Sequence, residues 1–172
     1  MTELDIHESG HAIMFDALDI PMEFVTVAVG CGGEEASLEG CVRLADENNP
    51  AGDIVMAALA GPGASFFIAG VADKDSIERY KSDQRHLQRI HADQADAGRQ
   101  DEYWSRLMAF LYGPMRVWLL ENRAVIVRFA TMLSAAQTLR GEPLRQALDS
   151  AWSAPKPDLT LLREALQDLL ST

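Results

Sequence analysis

The stretch Ile54–Ala72 carries no charged side chain and is long enough to cross a bilayer as a helix. It therefore decides first between a membrane span and a buried core element. Three features oppose a span. Gly61-Pro62-Gly63 interrupts its middle, Asp53 and Asp73 flank it, and no cluster of Lys or Arg anchors either end. The stretch reads as a buried core helix, kinked or broken at the Gly-Pro-Gly.

The bulk numbers agree with a globular chain. Its 172 residues fit one domain, or one domain with a small appendage. Hydrophobic residues make up 48% and charged residues 24%, enough apolar material for a sizeable core. The formal net charge of −11 repels phosphate backbones and anionic lipid, and no basic patch offsets it locally. No nucleic acid and no membrane are expected as partners. The first residues carry Glu3, Asp5, His7 and Glu8 and no basic leader region, so the expected location is the cytoplasm. Cys31 and Cys41 flank a short glycine-containing segment and read as free thiols, since a zinc site built on them would need two further ligands nearby and none is evident.

Periodicity predicts a mainly α chain with one β-hairpin. Leu4, Ile6, His7, His11, Met14, Phe15 and Leu18 recur at helical spacing over residues 3–18, and Pro21 ends that helix. β-branched residues alternate over 24–29, and a second strand is expected over 37–44. Ser82 is an N-cap candidate for a helix through Asp83, Leu87 and Ile90. Longer helical patterns run over 101–122, bent at Gly113-Pro114, and over 123–139, where Arg140-Gly141 reads as a C-cap. A short helix over 142–152, a Pro155-Lys156-Pro157 linker and an amphipathic helix over 159–170 complete the chain. The division expected is a catalytic domain over 1–153 and a linker with a C-terminal packing helix over 154–172.

The chemistry lies in His7-Glu8-Ser9-Gly10-His11, which fits H-E-x-x-H. Four residues are a little more than one helical turn, so both imidazoles project from one face and can reach a single zinc ion. In such a site the glutamate does not bind the metal but serves as general base, the role read here for Glu8. The competing reading is a surface helix with two stray histidines. Zinc in a hydrolase needs a third protein ligand and one open position. Asp83, His86, His91 and Asp93 are the candidates, because Asp16 on the same helix points to another face. His86 and His91 read more simply as solvated helix residues, and Trp104, Trp118 and Trp152 as core.

His7-Glu8-Ser9-Gly10-His11-Ala12 resembles the HEAGHA motif of the FtsH-type zinc metallopeptidases, the proteolytic domain of ATP-dependent membrane proteases. Asp19-Ile20-Pro21-Met22-Glu23 and Val25-Thr26-Val27 are similar to that family's loop and strand after its zinc helix. Ala58-Leu59-Ala60-Gly61-Pro62-Gly63-Ala64 resembles its LAG-x-AAE helix, and Leu139-Arg140-Gly141-Glu142 its C-terminal helices. The resemblance covers residues 4 to about 150. It implies a zincin-like helical fold with the small hairpin beside the zinc helix, and Asp83 as third zinc ligand after His7 and His11. The chain departs from the family in three ways: no G-x-x-x-x-G-K-S/T phosphate loop, no transmembrane segment, and Ser65 in place of the family's AAE glutamate.

These readings lead to one expectation: a zinc-dependent endopeptidase in which zinc activates water for attack on a peptide carbonyl and Glu8 moves the proton. Its substrates would be peptides, unfolded segments or flexible tails, held by edge pairing to the hairpin. A homo-oligomer or a separate unfoldase is compatible with that reading. The alternative is a catalytically inactive binding or regulatory module, against which the retained Glu8 speaks.

Overall fold

The computed structural model describes residues 1–28, 40–46, 48–71, 87 and 100–171. Within them the chain is mainly helical with one small antiparallel sheet. Helix α1 (Glu3–Ala17) starts at a capping box, in which the Thr2 hydroxyl accepts from the Asp5 amide and the Asp5 carboxylate accepts from the Thr2 amide. Leu18 closes the helix, and Asp19, at a φ of 57°, turns the chain toward Pro21. Every residue from Asp5 to Phe15 is buried. The helix is thus enclosed on nearly all sides, where its sequence suggests an amphipathic element with an open polar face.

Strand β1 (Met22–Thr26) sits at the centre of the sheet, between β2 (Cys41–Leu44) and β3 (Thr138–Arg140). Val25 lies opposite Val42 on one side and Leu139 on the other. The expected two-stranded hairpin is therefore corrected to a three-stranded sheet. The third strand comes from a segment whose sequence reads as helix. Helix α5 (Arg123–Ala136) stops at Gln137, which adopts a φ of 62°. The Gln137 carbonyl then accepts from the Val27 amide at 2.9 Å and from the Thr26 hydroxyl at 3.0 Å, drawing the chain onto the sheet. Arg140-Gly141 accordingly opens a helix, α6 (Gly141–Ala151), instead of capping the one before it.

Helix α2 (Ala51–Phe67) passes through Gly61-Pro62-Gly63 without interruption, so the expected break is absent and the helix ends before Ala72. A mid-helix proline costs about 3 kcal/mol or more. Close packing offsets it here. α1 lies along α2, and a Cβ on Gly10 would stand 2.5 Å from the Ala60 carbonyl oxygen and 2.7 Å from Ala64 Cβ. The glycines around Pro62 are points of close approach, not chain breakers.

Helix α3 (Gln100–Phe110) continues through a π turn (Leu111–Met115) into α4 (Arg116–Glu121). The bend expected at Gly113-Pro114 is there, with Gly113 at φ −100° and ψ −106°. Helix α7 (Thr160–Ser171) packs on α3 and on the start of α2, burying Leu162 and Leu166. Arg163 grips the buried Asp53 carboxylate with two hydrogen bonds, at 2.8 and 3.0 Å. Lys156 in the preceding linker reaches Asp16 at 3.0 Å and Asp19 at 3.2 Å. Among the described residues no helix is long and apolar enough to cross a membrane.

Candidate active site

α1 brings His7 and His11 together one turn apart. Their rings meet edge to face, with centroids 4.7 Å apart and planes at 80°. The two Nε2 atoms face each other at 3.0 Å. The pair is deeply buried, with 1% of His7 and 6% of His11 exposed.

The outer nitrogen of each ring is held by α2. His11 Nδ1 lies 2.7 Å from the Ala57 carbonyl oxygen, and His7 Nδ1 lies 3.2 Å from Ser65 Oγ. A carbonyl oxygen can only accept, so His11 carries a proton on Nδ1, and the neutral form of that ring would present a lone pair on Nε2. Gly61 makes room for that ring: a Cβ there would stand 2.2 Å from His11 Nε2. Ala57, Gly61 and Ser65 are spaced four apart, so one stripe of α2 cradles both imidazoles.

Glu8 follows His7 on the same helix. It is 3% exposed and lies against the start of β2, where a Cβ on Gly40 would meet Glu8 Cγ at 2.7 Å and Cδ at 2.9 Å. The same added atom would stand 2.5 Å from the Thr26 carbonyl oxygen, so β1, β2 and Glu8 converge at a single glycine.

The donor chemistry suits zinc. Two ligands at about 2.0–2.1 Å from a tetrahedral Zn²⁺ lie about 3.3 Å from each other, close to the separation of these two nitrogens. Imidazole is a preferred donor for this borderline-soft ion, and backbone and hydroxyl groups behind ligating histidines orient their rings. Two histidines do not complete a site. Among the described residues no group of three or more His, Cys, Asp or Glu is gathered closely enough to hold a metal ion. Asp83, His86, His91 and Asp93 all lie outside the described residues, as does Cys31. Cys41, on β2, is half-buried.

Sequence reasoning misses Ala57, Gly61 and Gly40 as parts of this site. The i, i+4, i+8 spacing of 57, 61 and 65 is visible in the sequence, but gains meaning only once α2 is known to lie along α1. Gly40 has no local signal at all. Compared with known families, the chain matches no family model, and no curated protein matches it.

Proposed function

We propose that the protein is a zinc-dependent peptidase of the zincin-like, FtsH-type kind, acting in the cytoplasm on peptides, unfolded segments or flexible tails. One observation carries the reading: two buried imidazoles aim their Nε2 atoms at a shared point, with both outer nitrogens held by α2 and a buried glutamate next in sequence. Buried ionisable side chains are held by partners, and a divalent ion shared by the histidines would be one of them.

His7 and His11 would hold the ion, with Asp83 as the third protein ligand. When bound, zinc supplies Lewis-acid polarisation of the substrate carbonyl and lowers the pKa of a coordinated water toward neutrality. Glu8 accepts the proton of the attacking water at its carboxylate and returns it to the leaving nitrogen. Enclosure of α1 keeps bulk water away from that carboxylate and strengthens its interactions. The three-stranded sheet beside Glu8 would hold an extended substrate by strand addition.

The test is metal content and hydrolysis on purified protein. Wild type should carry about one zinc per chain, and His11→Ala and Asp83→Ala should lose it, while His86→Ala keeps it. Wild type should cleave an unfolded protein such as casein and stop when zinc is stripped. Zinc unchanged by His11→Ala would sink the site. Zinc lost in His86→Ala and kept in Asp83→Ala would reassign the third ligand. A wild type that holds zinc yet cleaves neither casein nor a flexible tail on a folded reporter would point to a binding module.

A further inference from the structure

We infer that, independently of any metal at the histidines, the outer face of α4 is a contact surface for a second copy of this chain, packed antiparallel about a two-fold axis through the middle of the helix. α4 reads Arg116-Val117-Trp118-Leu119-Leu120-Glu121, four apolar residues between an arginine and a glutamate. Trp118 and Leu119 are buried, and Leu119 lies against α2 at Gly63. Val117 and Leu120 lie on the outer side and are 56% and 42% exposed. A helix that is apolar on two sides is normally enclosed on both. Tyr112, one turn before α4, is 47% exposed and extends the apolar surface to the end of α2. Its ring meets Phe66 and Phe67 edge to face, with centroids 5.5 and 5.6 Å away, and Arg116 lies over Phe67 at 5.6 Å. Tyr112, Val117 and Leu120 are three of the five large apolar side chains exposed among the described residues. Single exposed apolar residues need no explanation, but a cluster marks an interaction site.

The charges choose the partner. Arg116, Val117, Leu120 and Glu121 are all exposed and share one side of the helix, at i, i+1, i+4 and i+5. In a two-fold contact, residue i meets j and residue j meets i. A second α4 turned end over end about the same midpoint sets Val117 against Leu120 and Arg116 against Glu121, each twice. The face is its own complement. Among the described residues neither Arg116 nor Glu121 is in an ion pair, so both charges are open to a partner. A parallel pairing would instead set arginine on arginine and glutamate on glutamate. The net charge of −11 makes two copies repel over most of their surface, whereas this face offers opposite charges matched one for one. Exposed ion pairs add little affinity, so the apolar centre supplies the binding and the charges fix the register.

The experiment is sedimentation equilibrium of the full chain over a range of concentrations, with the melting temperature as the check on folding. Wild type should approach twice the chain mass reversibly as concentration rises. Val117→Asp places a carboxylate in the apolar centre twice by symmetry, and should raise the dissociation constant roughly a hundredfold. Arg116→Glu alone and Glu121→Arg alone each set like charges face to face, and each should weaken self-association roughly tenfold. Mixing those two variants restores both opposite pairs, so the mixture should associate more tightly than either variant does with itself. All these positions are exposed, so the variants should melt near wild type, with Arg116→Glu slightly lower for its lost contact with Phe67. A wild type that stays monomeric at every concentration would overturn the proposal. A dimer unchanged by Val117→Asp would move the contact to another face. A mixture no tighter than its components would exclude the antiparallel register. A monomer that binds uncharged phosphatidylcholine vesicles, and loses them in Val117→Asp, would give the face to a membrane instead. Should Val117→Asp unfold the chain, the mixed charge variants decide.

Discussion

The histidine half of the site and the Glu8 half are built on different supports. His7 and His11 lean on α2, a continuous helix that touches them through a carbonyl, a glycine and a hydroxyl one turn apart. Glu8, about 100° further round α1, leans on the sheet, at one close backbone approach beside Gly40. Helix-on-helix contact spreads the placement of the imidazoles over three residues. Among the described residues, the carboxylate is met at Gly40. Under the proposed reading, capture of a metal and movement of a proton would be separable functions of adjacent residues, and substitutions should break one while sparing the other.

The largest separation is expected from Glu8→Gln. Glutamine keeps the shape but cannot take the proton, so hydrolysis should fall roughly a hundredfold to ten-thousandfold. Zinc per chain and the melting temperature should stay as in wild type. Loss of zinc in that variant would show that the two halves are not separable.

Gly61→Ala attacks the other half. Its methyl would stand 2.2 to 2.6 Å from three atoms of the His11 ring, all inside the interface between α1 and α2. Overpacking of this kind costs about 1–3 kcal/mol, and the ring must also leave its metal-facing pose. Denaturant unfolding should show the stability loss, and metal analysis should show less than one zinc per chain. A variant with full zinc content would mean that α2 does not set the imidazole geometry.

Gly40→Ala is the matching probe on the sheet side. The added methyl presses on Glu8 and on the Thr26 carbonyl, so the carboxylate moves while the histidines stay. Displacement on the order of 1 Å can cost about a hundredfold in rate. The expected result is roughly a tenfold to hundredfold loss of hydrolysis with zinc retained. Equal loss of both would merge the two halves into one.

The smallest effect is expected from a residue outside both. Lys156 binds Asp16 and Asp19 from the C-terminal linker. Partial burial draws its pKa down, but the hydrogen bond and charge of Asp16, then those of Asp19, outweigh this and hold it above the usual lysine value. A raised lysine pKa gives stability that is fully present below the unfolded value and is lost as pH rises through the folded one. The contribution therefore holds through neutral pH and vanishes only in strongly alkaline solution. A partly exposed pair of this kind contributes under about 1 kcal/mol. Lys156→Ala should lower the melting temperature slightly at neutral pH, narrow that gap at high pH, and leave zinc content and hydrolysis unchanged.

Much of the fold was legible because its signals are local. The helix over residues 3–18, the bend at Gly113-Pro114 and the terminal amphipathic helix follow from periodicity and from proline and glycine chemistry. The missed strand β3 is three residues long and exists because β1 accepts it, so no pattern within Thr138–Arg140 announces it. Gly61-Pro62-Gly63 misleads for a related reason. Its local propensity favours a break, and burial against α1 overrides that propensity.

By itself the sequence determined that His7 and His11 share one face of a helix, with Glu8 beside them. That follows from the 3.6-residue turn and holds in any fold that keeps residues 3–17 helical. Tertiary structure decided everything that gives those side chains direction. The partners of the two rings lie 46 and 58 residues away, and the glycine that faces Glu8 lies on another element again. Hydrogen-bond direction, ring tautomer and room for a side chain are properties of contacts between elements, which the spacing within one helix cannot encode.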